Sequence, residues 1–200
     1  MSILKRLLGI TIKKDTNRLR KDPAVSKFMP EKKLPIDEMF TNNFKNNGGK
    51  FLYCENENEL QNTFNQIILE NAWKKENVYI KSADILKRFQ IKTSQKKSSE
   101  ADYFITTAEY LIANTGAILV DSDQIGEDKL GDLPYNFIIV ASTSQLLETI
   151  GEGLQLIKLN KNKIPSNITT MKTFEGKVES DFMSYGSPSK NLYLLLLEDL

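Results

Sequence analysis

Histidine is absent from this 200-residue chain, and cysteine occurs once, at Cys54. No imidazole can therefore act as a general base, no Ser-His-Asp triad can assemble, and thiolate zinc clusters or protein-ligated iron–sulfur centres lack their ligands. A lone thiol closes no intramolecular disulfide, and no apolar run approaches the roughly 18 residues that mark a membrane span. With no signal-peptide pattern either, the expectation is a cytoplasmic protein. What is present suffices for a core: 40% of residues are apolar, and the length corresponds to one domain at roughly 150 residues each, with an appendage.

A net charge of +1 conceals an asymmetry. Residues 1–100 hold 20 Lys/Arg and 12 Asp/Glu, whereas residues 101–200 hold 7 and 14, so the halves are oppositely charged. Residues 1–33 carry 10 basic and 3 acidic side chains, and Ile3, Leu4, Leu7 and Leu8 recur at helical spacing beside Lys5 and Arg6. This is the pattern of a basic amphipathic extension, residues 1–33, suited to weak contact with a membrane surface or an acidic partner, ahead of a domain over residues 34–200. Nucleic acid is not an expected partner, because the basic run lacks interleaved aromatics and a recognised binding signature.

From Pro35 onward helical and strand patterns alternate. Ile36, Met39, Phe40 and Phe44 share one helix face, which Gly48-Gly49 ends; Lys50 to Cys54 follows as a strand. Asn56 or Asn58 caps a helix with Leu60, Phe64, Ile67, Ile68 and Ala72 inward, Val78 to Ile80 forms a strand, and Ser82 caps a helix with Ile85, Leu86 and Phe89. Tyr103 to Thr106 predicts a strand, Thr107 caps a turn carrying Glu109, and Tyr110 to Ile112 continue as a brief helix ended by Asn114-Thr115-Gly116. Ala117–Val120, Phe137–Ala141 and Leu192–Leu197 are continuous apolar runs, as in strands covered on both faces. Ser142-Thr143-Ser144 is expected to start a helix running through Leu146, Leu147, Ile150, Leu154 and Ile157. The alternation predicts an α/β domain: a mainly parallel open sheet with flanking helices.

Ligands of open α/β sheets gather beyond the carboxyl ends of the strands. That rule nominates Thr106-Thr107, Ser142-Thr143-Ser144 and the turn Gly186-Ser187 to Lys190, whose hydroxyls, amides and one ammonium suit a small anion. Ser and Thr after a strand are usually helix caps, which is the plainer explanation of each loop. Asn114, Thr115 and Gly116 form either a ligand-approaching turn or a plain C-cap, and Glu109 is either a cleft carboxylate or an acid favoured by a helix dipole. No metal site is expected: the acidic stretch Asp121, Asp123, Glu127, Asp128 and Asp132 fits no EF-hand spacing and reads as solvated. Cys54, with nothing to activate it, reads as a buried inert thiol.

The run Ala101-Asp102-Tyr103-Phe104-Ile105-Thr106-Thr107-Ala108-Glu109-Tyr110-Leu111-Ile112-Ala113-Asn114-Thr115-Gly116 into Ala117–Val120 resembles the central motif of the lactate-utilisation protein C family, the LUD domain. Leu133-Pro134 ahead of Phe137–Val140 and Tyr185-Gly186-Ser187 ahead of the last strand add to the likeness. The resemblance implies a fold like that of the sugar-phosphate isomerase and CoA-transferase superfamily. It also implies a role in oxidising L-lactate to pyruvate beside iron–sulfur partner subunits, with no cofactor held by this chain. By motif, Thr107, Glu109, Thr115, Gly116 and Gly186 fall where family members line the cleft. The chain departs from the family at Ile164-Pro165-Ser166, where a Gly-Pro-Ser segment is usual, and at Tyr185, where histidine is common. Two other functions suit the same residues: a non-catalytic binding or regulatory module using the basic segment, and an acyl or CoA-type transferase by superfamily analogy. Whether this chain is itself catalytic stays open on sequence alone.

Overall fold

The computed structural model describes residues 34–92, 97–161, 163–172, 174 and 190–200. The segment 1–33 and the Gly186-Ser187 turn lie outside these residues. The first described helix, α1 (Ile36–Asn46), buries Phe40 and Phe44 and ends where Gly48 takes φ +89°. Then follow β1 (Lys50–Cys54), α2 (Glu57–Glu70), β2 (Val78–Ile80) and α3 (Ala83–Arg88). Asn56 is the residue that caps α2, accepting a hydrogen bond from the Glu59 amide at 3.0 Å, and Ser82 caps α3. Such caps satisfy an otherwise orphaned donor and stabilise a helix by about 1 kcal/mol.

The second half supplies β3 (Tyr103–Thr107), β4 (Tyr110–Ile112), β5 (Ala117–Asp121), a short α4 (Ser122–Ile125), β6 (Asn136–Ser142), β7 (Leu146–Leu147), α5 (Ile150–Asn160), β8 (Ile168–Met171) and β9 (Asn191–Leu197). Five strands pair in the order β1-β9-β6-β3-β2, every pair parallel, which gives the expected open α/β sheet. The apolar runs are explained by burial on both faces. Along β6, Phe137, Ile139 and Ala141 enter one core while Ile138 and Val140 enter the other; β9 splits in the same way, with Leu192, Leu194 and Leu196 opposite Leu195 and Leu197. α2 and α3 cover the second face through Leu60, Phe64, Ile67 and Ile85.

The first face is covered by α1 and by something the periodicity did not suggest, a second sheet of order β7-β4-β5-β8. Tyr110–Ile112 is a strand, antiparallel to β5, and not the brief helix expected. The reason is local to the turn: Ala113 to Gly116 returns the chain on itself, with Gly116 at φ +63°, and Ile112 lands opposite Ala117. Leu111, Ile118 and Val120 point to the shared core, while Ile112 and Leu119 carry α5 on the outer side, packed closely at Gly153. The helix expected from Ser142 likewise begins later. Leu146 and Leu147 pair with β4, and α5 starts at Thr149, whose hydroxyl accepts from the Glu152 amide while Glu152 accepts from the Thr149 amide. Ser142 carries a reciprocal box of its own with Gln145, but the helix it starts is a single 3-10 turn over Thr143–Gln145, ended where Leu146 pairs with β4. Among the described residues no helix is long and apolar enough to cross a membrane.

Candidate functional site

At the carboxyl edge of the parallel sheet, β6 ends in Ser142 and the chain turns through Thr143, Ser144 and Gln145. Gln145 closes this turn twice: its side-chain Oε1 accepts from the Ser142 amide at 2.7 Å, and its Nε2 donates to the backbone carbonyls of Ala108 and Glu109 at 2.7 and 3.1 Å. The ends of β6 and β3 are thereby tied together. Two hydroxyls and one amide of the turn converge on a single carboxylate, that of Asp199 two residues after β9. Thr143 Oγ1 and the Ser144 amide each donate to Oδ1 at 2.9 Å, and Ser144 Oγ donates to Oδ2 at 2.7 Å. Burial opposes ionisation of Asp199, but the hydrogen bonds from Ser144 and Thr143 outweigh it and hold its pKa below the usual aspartate value. Beside this cradle lies a cavity of about 380 Å³ bounded by Ile36, Asp37, Leu146, Glu198 and Leu200.

The structure thus makes Ser142 and Thr143 part of one anion-holding turn, with half-buried Thr107 at the neighbouring end of β3. Thr106 is committed elsewhere: it is buried, and its hydroxyl donates to the Gln124 carbonyl at 3.1 Å, pinning α4 onto β3. Asn114, Thr115 and Gly116 are not brought to this edge. Their turn docks on the last turns of α1, where Asn43 donates to the Ala113 carbonyl at 2.8 Å and Asn47 to that of Thr115 at 2.7 Å. Lys190 stands at the start of β9, the amino edge, and a strand of seven residues puts it roughly 20 Å from the cradle. Its ammonium is buried and donates to the carbonyls of Leu133 and Pro134 at 2.8 and 3.1 Å, and burial lowers its pKa. Preceding a parallel strand places a residue at the opposite edge from following one, which is why Lys190 and the Ser142 turn do not meet.

Glu109 does reach a charged cluster that sequence reading missed. Lys161, just past α5, lies 2.5 Å from Asp121, 2.7 Å from Asp123 and 3.1 Å from Glu109. Gln124 adds a hydrogen bond to Glu109 at 3.0 Å. Far from being solvated, Asp121 is wholly buried, and Asp128 is held by Tyr79 and Lys81 at 2.7 and 2.9 Å. Burial tends to lower the Lys161 pKa, but Asp121, Asp123 and Glu109 together raise it well above the ordinary value of 10.5. An ammonium so held is a fixed cation and not a base. It forms one wall of a second cavity, about 500 Å³, which also touches Ser122, Lys163, Pro165 and Ser166. The signal available in the sequence was only an acidic stretch; its partner lies about 40 residues away.

Cys54 is buried beside Thr63, and desolvation raises its thiol pKa to about 11. The thiolate is the reactive form. The native chain is therefore expected to resist iodoacetamide at pH 8 and to be alkylated only once unfolded in guanidinium; rapid native labelling, read by mass spectrometry, would contradict this.

An open parallel sheet, helices on one face, a second sheet on the other and an anion-holding turn at the carboxyl edge define an α/β fold of the kind that binds ligands at its strand ends. The model of the LUD domain family matches residues 38–196, and the chain belongs to that family. A DUF162 family protein from Deinococcus radiodurans, known from its crystal structure, superposes with a TM-score of 0.60 at 17% identity, covering 82% of this chain and 96% of that one. No curated protein matches this sequence.

Proposed function

We propose that this LUD-domain chain is a cytoplasmic accessory component of L-lactate utilisation, one that takes the carboxylate of a small organic acid at the Thr143–Ser144 cradle. The observation that carries this reading is the cradle itself: two hydroxyls and an amide already hold a carboxylate at the edge where open α/β sheets bind ligands. Oxidising lactate to pyruvate releases two electrons and two protons. A chain with no histidine and one buried cysteine has no set of ligands for an iron–sulfur cluster, so the electrons pass to iron–sulfur partner subunits.

The full chain purified from its own cells is expected to bring down subunits that carry iron and the visible absorption of iron–sulfur clusters, and its deletion to slow growth on L-lactate but not on glucose. An iron-free preparation together with unchanged growth on lactate would overturn the reading.

A further inference from the structure

Asn47-Gly48 is the sole Asn-Gly step in the sequence. Glycine puts no side chain in the way of its own nitrogen, so this is the step at which an asparagine side chain most readily cyclises with the backbone. In the fold each reacting group is held back. Asn47 is 5% exposed, and its Nδ2 donates to the carbonyls of Thr115 at 2.7 Å and Gly116 at 3.4 Å. The Gly48 amide, the attacking group, donates to the Lys45 carbonyl at 2.9 Å. Ring closure needs the Asn47 Cβ and the Gly48 nitrogen eclipsed about the Cα–C bond, whereas ψ 0° at Asn47 eclipses the two backbone nitrogens instead. All of these restraints are released when the end of α1 lifts from the β4–β5 turn and unwinds.

We propose that Asn47 is a latent modification site, which deamidates when α1 lifts from the β4–β5 turn and thereafter keeps α1 from returning. The Gly48 nitrogen, losing its proton, bonds to Asn47 Cγ; the Cγ–Nδ2 bond breaks, and ammonia departs with that proton. Water then opens the succinimide to aspartate or isoaspartate. An amide nitrogen that donated to two carbonyls is thereby replaced by an oxygen that only accepts. Against the Thr115 and Gly116 carbonyls, a buried carboxylate meets repulsion where the amide had hydrogen bonds. The release reaches beyond residue 47. Its carbonyl accepts from the Phe174 amide at 3.0 Å, and the Phe174 ring packs on Phe44 of α1 with centroids 5.0 Å apart. Because the open form reacts and the closed form does not, the rate follows the open population. The product accumulates as a one-way record of how often α1 has opened.

The test incubates the full chain in mildly alkaline buffer and follows the peptide spanning residue 47 by mass spectrometry, reading the mass gain of an amide-to-acid exchange and assaying isoaspartate. The folded native chain is expected to react about tenfold or more slowly than the same chain in guanidinium, with Asn43→Ala, which loses the bond to the Ala113 carbonyl, between the two. A native sample aged in guanidinium and refolded then holds both forms, and hydrogen exchange read by mass compares them. Deamidated molecules should exchange the amides of α1 about tenfold or more faster than intact ones, while β6 and β9 stay equally protected in both. This second comparison stands even where Asn43→Ala does not fold. Equal rates for the folded and unfolded native chain would overturn the proposal, as would an Asn43→Ala chain that folds and reacts no faster than the native one, or deamidation that falls first on another asparagine. Deamidated molecules that protect α1 as well as intact ones do, or that lose β6 and β9 along with it, would refute the release of α1.

Discussion

Gly116→Ala is expected to destabilise the protein by about 3 kcal/mol or more. Two costs combine. The residue sits at φ +63°, where a side chain is strained. A Cβ there would also lie 2.3 Å from the Asn43 carbonyl carbon and the Phe44 nitrogen, both backbone atoms of α1. Backbone cannot rotate out of the way as a side-chain tip can, so α1 must shift off the β4–β5 turn. That movement would pull Asn43 from the Ala113 carbonyl and Asn47 from the Thr115 carbonyl. For a domain of this size the thermal midpoint should fall by roughly 6–12 °C. Gly131→Ala is the matched control, since a Cβ there meets nothing within 4 Å; it is expected to change stability by under about 0.5 kcal/mol. Equal midpoints for the two variants, measured by calorimetry, would mean that the turn does not lean on α1 as described.

Lys161→Met should cost a similar amount, about 3 kcal/mol, for a different reason. The ammonium neutralises three carboxylates, of which Asp121 is fully buried and Glu109 only 16% exposed. Removing one partner of a buried pair leaves the other charge desolvated and uncompensated, and that is where most of the penalty arises. The native pairing also predicts a pH dependence. The Lys161 pKa is raised on folding above its ordinary 10.5. Its contribution is therefore fully present below about pH 10.5 and fades as pH climbs through the higher folded value. Chemical denaturation of the native chain should show stability declining above pH 10.5, while Lys161→Met, already lacking the pair, lacks that component of the decline. Parallel alkaline profiles for the two chains would show that the cluster contributes nothing to folding. Lys161→Arg, which keeps the charge in a bulkier head, is expected to retain part of the stability.

Where a residue's role is set by its immediate neighbours, the amino-acid order alone was sufficient. The strands β1, β2, β3, β5, β6 and β9 and the helices α1, α2 and α3 follow from apolar periodicity and from caps such as Asn56 and Ser82, whose hydrogen bonds span three residues. Continuous apolar runs foretold strands covered on both faces, and with them the parallel sheet, while the LUD family came from the resemblance of residues 101–120 to its central motif. Tyr110–Ile112 escaped because three residues carry too little periodicity to separate strand from helix. β8 escaped because Ile168–Met171 is half-polar and is a strand only through its pairing with β5.

The candidate site divides in the same way. Ser142 and Thr143 were legible as a turn after a strand, since following a parallel strand fixes the edge. Asp199, Gln145, Asp121 and Lys161 were not, because the contacts that give them meaning join residues 36 to 56 positions apart, and nothing local marks either end. Composition had already excluded imidazole chemistry and thiolate metal clusters in this chain. Only the folding of two sheets around one core decided which hydroxyls meet a carboxylate, because a hydrogen bond is made over about 3 Å and sequence distance says nothing about that.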